Sequence, residues 1–128
     1  MRYLGIDYGA KRVGIALSDE GGKLAFPHAT LSNDGTLLEE VKRICHEFDV
    51  GTVVVGESRQ LSGEPNQIQK AIDRFCDKLK KGVEIPIVLE LEMLTSRQAA
   101  HIQGETEMLD ASAAALILQG YLDKTSGK

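Results

Sequence analysis

Two short runs at the start of the chain alternate apolar with polar or small residues. Leu4, Ile6 and Tyr8 share one side of the first run, and Val13, Ile15 and Leu17 share one side of the second. A period of two predicts two strands, each with one apolar face. Gly9-Ala10-Lys11 between them predicts a tight turn, with Gly9 free to take a positive φ. Glu20-Gly21-Gly22-Lys23 marks a second turn. A third strand is expected from Leu24 to Leu31, and Pro27 within it predicts an edge position, because proline has no N–H to give to a ladder.

The period then changes. After the polar break Ser32-Asn33-Asp34-Gly35, the residues Leu37, Leu38, Val41, Ile44, Cys45 and Phe48 recur at helical spacing, and Asp49-Val50-Gly51 closes that helix. Thr52-Val53-Val54-Val55-Gly56 is a continuous β-branched run, the mark of a strand buried on both faces of a parallel sheet. Glu57 to Pro65 is a polar loop at its carboxyl end, where open α/β sheets place ligands. Residues 66–81 form an amphipathic helix on Ile68, Ala71, Ile72, Phe75 and Leu79, closed by Lys80-Lys81-Gly82. Ile85 to Leu91 reads as the last strand. Thr95-Ser96-Arg97-Gln98 fits a capping box for a short helix to about Gln103, and Gly104 to Met108 reads as a polar link. An Ala-rich helix from Asp110 to Leu122 completes the order, ahead of a frayed tail from Thr125 to Lys128. The sequence thus predicts an α/β fold: a five-stranded mixed sheet, an antiparallel three-strand meander plus parallel strands, flanked by helices in one domain over residues 1–128.

Composition narrows the class. A hydrophobic content of 42% with 27% charged residues is that of a soluble globular protein. No apolar run reaches the roughly 18 residues of a membrane span, and no basic-then-apolar leader opens the chain, so a cytoplasmic protein with no membrane partner is expected. Cys45 and Cys76 fall on apolar helix faces with no metal-ligand spacing, and read as reduced core residues. The net charge of −4 does not advertise a nucleic-acid binder. The charge is uneven, however: residues 64–81 are basic and residues 84–110 acidic. Both stretches are equally readable as solvated faces.

Asp7 is the anomaly of the opening strands. A carboxylate in an apolar strand is unfavourable unless something pairs with it, and a hard cation such as Mg²⁺ is one such partner. The plain alternative is a strand-end aspartate capping its own turn. Gly5 and Gly9 on either side would let a backbone or ligand come close. Two further acids stand out by position. Glu92 follows the last strand, and Asp110 opens the final helix, where it would also serve as an ordinary N-cap. If the first and last strands are parallel, Asp7, Glu92 and Asp110 can converge at one edge. Three such carboxylates suit the binding of Mg²⁺ or Mn²⁺ for hydrolysis of a phosphodiester.

At these residues the chain resembles the YqgF (RuvX) family of Holliday junction resolvases and pre-16S rRNA nucleases. Residues 3–19, YLGIDYGAKRVGIALSD, are similar to the family pattern GIDxGxKRxGxAxSD, VVVG at 53–56 to its buried strand, and DASAAALILQGYLD at 110–123 to its C-terminal helix. The resemblance implies an RNase H-like fold and metal-binding acids at Asp7, Glu92 and Asp110. It also implies a cytoplasmic protein whose substrate is structured RNA, such as pre-rRNA, or branched DNA. Two stretches depart from the family. Leu91-Glu92-Met93-Leu94-Thr95 stands where the family often has Asp-Glu-Arg-Leu-Thr, which removes an arginine able to contact phosphate. Glu57-Ser58-Arg59 stands where the family's loop usually begins Leu-Pro.

The expectation is therefore a divalent-metal-dependent nuclease. Asp7, Glu92 and Asp110 are its catalytic and metal-binding acids, and Lys11 and Arg12 its nucleic-acid contacts. Ribosomal particles are candidate partners, able to supply affinity that the acidic surface lacks. A monomer or weak homodimer is expected, since no exposed apolar stripe announces an assembly. Two rivals stand beside it: a non-catalytic binding module of the same fold, and a nucleotide-dependent phosphotransferase, whose actin-like fold opens with a similar Asp-x-Gly hairpin but needs two lobes.

Overall fold

The computed structural model describes residues 1–9, 11–57, 67–91 and 106–126. Five strands form one sheet: β1 (Arg2–Tyr8), β2 (Arg12–Ser18), β3 (Ala25–Ser32), β4 (Val50–Glu57) and β5 (Ile87–Leu91), in the order β3-β2-β1-β4-β5. β2 is antiparallel to β1 and β3, whereas β4 runs parallel to both β1 and β5. The carboxyl ends of β1, β3, β4 and β5 therefore meet along one edge. This is the mixed sheet that the sequence predicts, with Pro27 on an edge strand as expected.

Helices α1 (Leu37–Glu47) and α2 (Gln67–Gly82) cover one face, and α3 (Thr106–Ser126) crosses the other. Strand alternation supplies two cores. Leu4, Ile6, Val13, Ile15, Val53 and Val55 pack with Val41, Ile44, Ile72 and Leu79 beneath α1 and α2. Ala16 and Val54 pack with Ala114, Ile117, Leu118 and Leu122 beneath α3. Cys45 and Cys76 are buried free thiols of the first core, and burial pushes both up to about 11.

Several boundaries differ from the sequence reading. The final helix begins at Thr106, so residues 106–108 are not a link and Asp110 lies inside the helix rather than at its N-cap. Val50 and Gly51 belong to β4, because Asp49 ends α1 with a left-handed φ of 53° and turns the chain at once. β5 starts at Ile87, and β3 runs from Ala25 to Ser32. The loop after Glu57 and the short helix from Thr95 to Gln103 lie outside the described residues.

Turn chemistry fixes the meander. Gly22, at φ 70°, takes the positive dihedral of the second turn. Asp19 Oδ1 accepts from the Lys23 and Leu24 amides at 2.8 and 3.3 Å, which holds its carboxyl below the usual range. Buried Ser18 accepts from the Tyr3 amide at 2.8 Å. The Ser-Asp end of the opening motif is thus a structural joint. Gln119 of α3 accepts from the Ala25 amide and donates to Lys23 O, both at 2.9 Å, which ties the helix to the edge strand.

Candidate active site

Alternation along β1 sends Leu4, Ile6 and Tyr8 toward α1 and α2, and Tyr3, Gly5 and Asp7 toward α3. Asp7 pairs in register with Gly14 of β2. A Cβ on Gly14 would overlap the Asp110 carbonyl oxygen, so only glycine lets α3 rest on β2 at this height. Two residues back along β1, a Cβ on Gly5 would lie 2.8 Å from Leu118 Cβ and 3.0 Å from Ala114 O. Gly5 therefore admits the helix rather than a ligand. Gly9 does not take a positive φ either; a Cβ there would meet Arg12 O at 2.5 Å. These close approaches bring Asp110 beside Asp7.

The electrostatics follow from that placement. Asp7 is pushed up to about 6, first by burial and then by the neighbouring charge of Asp110. Arg12, on the same face of β2, donates from Nε to Asp110 Oδ2 at 2.8 Å. The Asp110 side chain is 23% exposed and that of Arg12 45%, so the pair sits at the mouth of the site with Asp7 beneath it. The arginine expected to meet phosphate is held by an acid in this state. Lys11 is exposed beside it.

Asn33 is a site residue that the sequence reading passed over as part of a polar break. Its amide donates to Lys11 O at 2.9 Å and its Nδ2 to Gly9 O at 2.7 Å, fastening the β1–β2 turn to the end of β3. Gly14 was equally readable, since an isolated glycine within a strand marks a close approach. Glu92 lies outside the described residues. β5 delivers the chain to the same edge: Val55 pairs with both Ile6 and Leu89, and Leu91 with Glu57. Glu90, one residue earlier on β5, is held by Lys124 at 2.8 Å.

Among the described residues no group of three or more His, Cys, Asp or Glu side chains is placed to hold a metal. Asp7 and Asp110 form a pair of hard oxygen donors. One is largely buried, and one arginine offsets the charge of the other. Two adjacent carboxylates with that deficit of positive charge fit a divalent cation.

Full-length relatives bear similar sequences. A Thermoanaerobacter pseudethanolicus protein named "Putative pre-16S rRNA nuclease" is 34% identical over 139 aligned residues, covering all of both chains. A Clostridium botulinum protein of the same name is 35% identical over 98% of this chain and 99% of its own. Among solved structures, Thermus thermophilus RuvC in complex with a Holliday junction substrate superposes with a TM-score of 0.66 at 17% identity, over 99% of this chain and 97% of that one. The fowlpox virus Holliday junction resolvase superposes with a TM-score of 0.59 at 16% identity, over 97% of this chain and 99% of that one. At such identities the structures establish the shared RNase H-like fold. The RuvX family model, described as Holliday junction resolvase, matches residues 1–124, and with these full-length relatives it establishes that the chain belongs to the RuvX family.

Proposed function

We propose that this protein is a divalent-metal-dependent nuclease that hydrolyses phosphodiester bonds in the precursor of 16S rRNA. The observation that carries the chemistry is the juxtaposition of Asp110 with the largely buried Asp7, whose pKa is raised to about 6 first by burial and then by the charge of Asp110. The substrate reading rests on the names of the full-length relatives. The family description favours a second substrate, the four-way DNA junction.

Asp7 and Asp110 hold the metal in this proposal, with Glu92 as the third acid from the chain that follows β5. A bound divalent cation would supply a nucleophilic water near neutral pH and positive charge for the leaving oxygen. The protein's own groups do the rest. Burial of Asp7 beneath α3 keeps its carboxylate poorly hydrated and ready for a hard cation. Once Asp110 is engaged, the Arg12 guanidinium is released at the mouth, where it can form a two-point contact with a phosphate. Exposed Lys11 attracts the same backbone over a longer range. Ribosomal particles are the proposed partners that add affinity to an acidic surface.

Cleavage of labelled pre-16S RNA and of a four-way DNA junction tests this, in Mg²⁺ or Mn²⁺, with Asp7→Asn and Asp110→Asn alongside. Loss of cleavage in both variants and under chelator is expected, with RNA the better substrate. Preference for the junction would move the substrate to DNA. Absence of cleavage by the folded wild type would leave a binding module.

A further inference from the structure

The carboxyl edge of the sheet has a second mouth. Asp7 and Tyr8 are consecutive and face opposite sides. Tyr8 lines a cavity of about 300 Å³ with Asn33, Asp34, Phe75, Arg74 and Lys78, between the start of α1 and α2. A larger cavity of about 370 Å³ lies near Val50, at the amino end of β4 and so at the far edge of the sheet. Of these two, the first adjoins the end of β1 that carries Asp7.

The chemistry of this pocket differs from that of the acid side. Arg74 and Lys78 stand one turn apart on α2 and are exposed, and neither is in an ion pair among the described residues. The opposing wall holds one carboxylate, Asp34. The Thr36 amide and hydroxyl donate to its Oδ1 at 2.9 and 2.6 Å. Tyr8 and Phe75 stack tilted at 5.3 Å and give the pocket an apolar floor. Asn33 joins the two mouths, since its Nδ2 holds the β1–β2 turn through Gly9 O. Two cations over an aromatic floor suit a sugar–phosphate backbone.

We infer that the pocket between α1 and α2 is a second phosphate-binding subsite, which holds the same nucleic-acid strand where it continues past the acids over the sheet edge. The subsite rests on the nuclease reading, since that reading supplies the strand. It assigns a role to the basic α2 stripe, which the acid site leaves unused. Arg74 and Lys78 are positioning residues. They set where the strand lies and take no part in the bond-breaking step.

Binding of labelled single-stranded RNA and of a four-way junction, measured in chelator over a range of salt, tests the inference. The proteins are the wild-type chain, Arg74→Gln, Lys78→Gln, the double variant and Lys80→Gln. Lys80 lies on the other flank of α2, beside Ile87 and Leu89, and its variant matches the charge change. Each pocket variant should lower the slope of log K against log salt by about 0.7 on a single strand and about 0.9 on a duplex. Lys80→Gln should keep the wild-type slope. Asp34→Asn keeps an acceptor for Thr36 while removing the pocket's carboxylate, and should bind more tightly. In cleavage, the pocket variants should raise KM and leave kcat unchanged. Slopes and KM equal to those of Lys80→Gln, with a wild type that binds and cleaves, would overturn the subsite alone. A wild type that neither binds nor cleaves would overturn the subsite and the nuclease reading together.

Discussion

At the level of single residues, Asp7 links stability to pH. Its folded pKa of about 6 lies above the ordinary 3.8, so folding favours the protonated form. The favourable contribution of the neutral acid is complete below about pH 4 and is lost as pH rises through 6. At pH 8 the ionised carboxylate therefore destabilises the metal-free protein, by up to about 3 kcal/mol. Asp7→Asn should stabilise the metal-free fold at pH 8 by about 1–3 kcal/mol and give no gain near pH 4. Urea denaturation at the two pH values checks this, and a destabilised variant at pH 8 would contradict the placement of Asp7. Arg12 should show opposite effects on two ligands. Arg12→Gln frees Asp110 and removes a competing cation, so divalent-metal affinity should rise by up to about fivefold while nucleic-acid affinity falls. Calorimetric metal titration and strand binding on the same preparation would show whether the signs differ. Asp7 was legible as a candidate because a carboxylate in an apolar strand is conspicuous. The Arg12–Asp110 bond was not, because 98 residues separate the partners and only the docking of α3 brings them together.

At the scale of elements, the site depends on how closely α3 approaches the sheet. Gly5 and Gly14 form a bare track on β1 and β2, and the alanines of α3 lie against it. Gly14→Ala would force a methyl into the Asp110 carbonyl, a backbone group with no rotamer to yield. The expected cost is about 3 kcal/mol, at the upper end for overpacking. A milder outcome requires α3 to shift, and Asp110 would then leave Asp7. The Asp7 pKa, followed by NMR titration in the variant, should fall toward its ordinary value as the neighbouring charge and the burial are both reduced. Strand and helix identities were readable here from local pattern: the period of two in β1 and β2, the helical period in α1 and α2, and the continuous β-branched run of β4, which is buried on both faces. The start of α3 at Thr106 was not, because Asp110 is itself a good N-cap residue and the four residues before it are too few to show a period.

Across the whole molecule, two buried thiols report on cooperativity. Cys45 and Cys76 sit in helices that pack on the same face, and burial holds both near 11. At pH 8 a thiol reagent should modify neither in the native state, and both should react together at the rate of global opening. Fast modification of one alone would show that its helix opens separately. Reductant should not change the melting temperature, since no disulfide joins them. The sequence by itself determined the order of the elements among the described residues, the α/β class, the edge position of β3 and the acidic strand residue. All of these follow from local period, turn chemistry and the cost of a charge among apolar neighbours. The tertiary structure alone decided the pairing of Asp7 with Asp110, the capture of Arg12 and the pocket beneath Tyr8. Each of these depends on contacts between segments far apart in the chain, and the distances are set by packing.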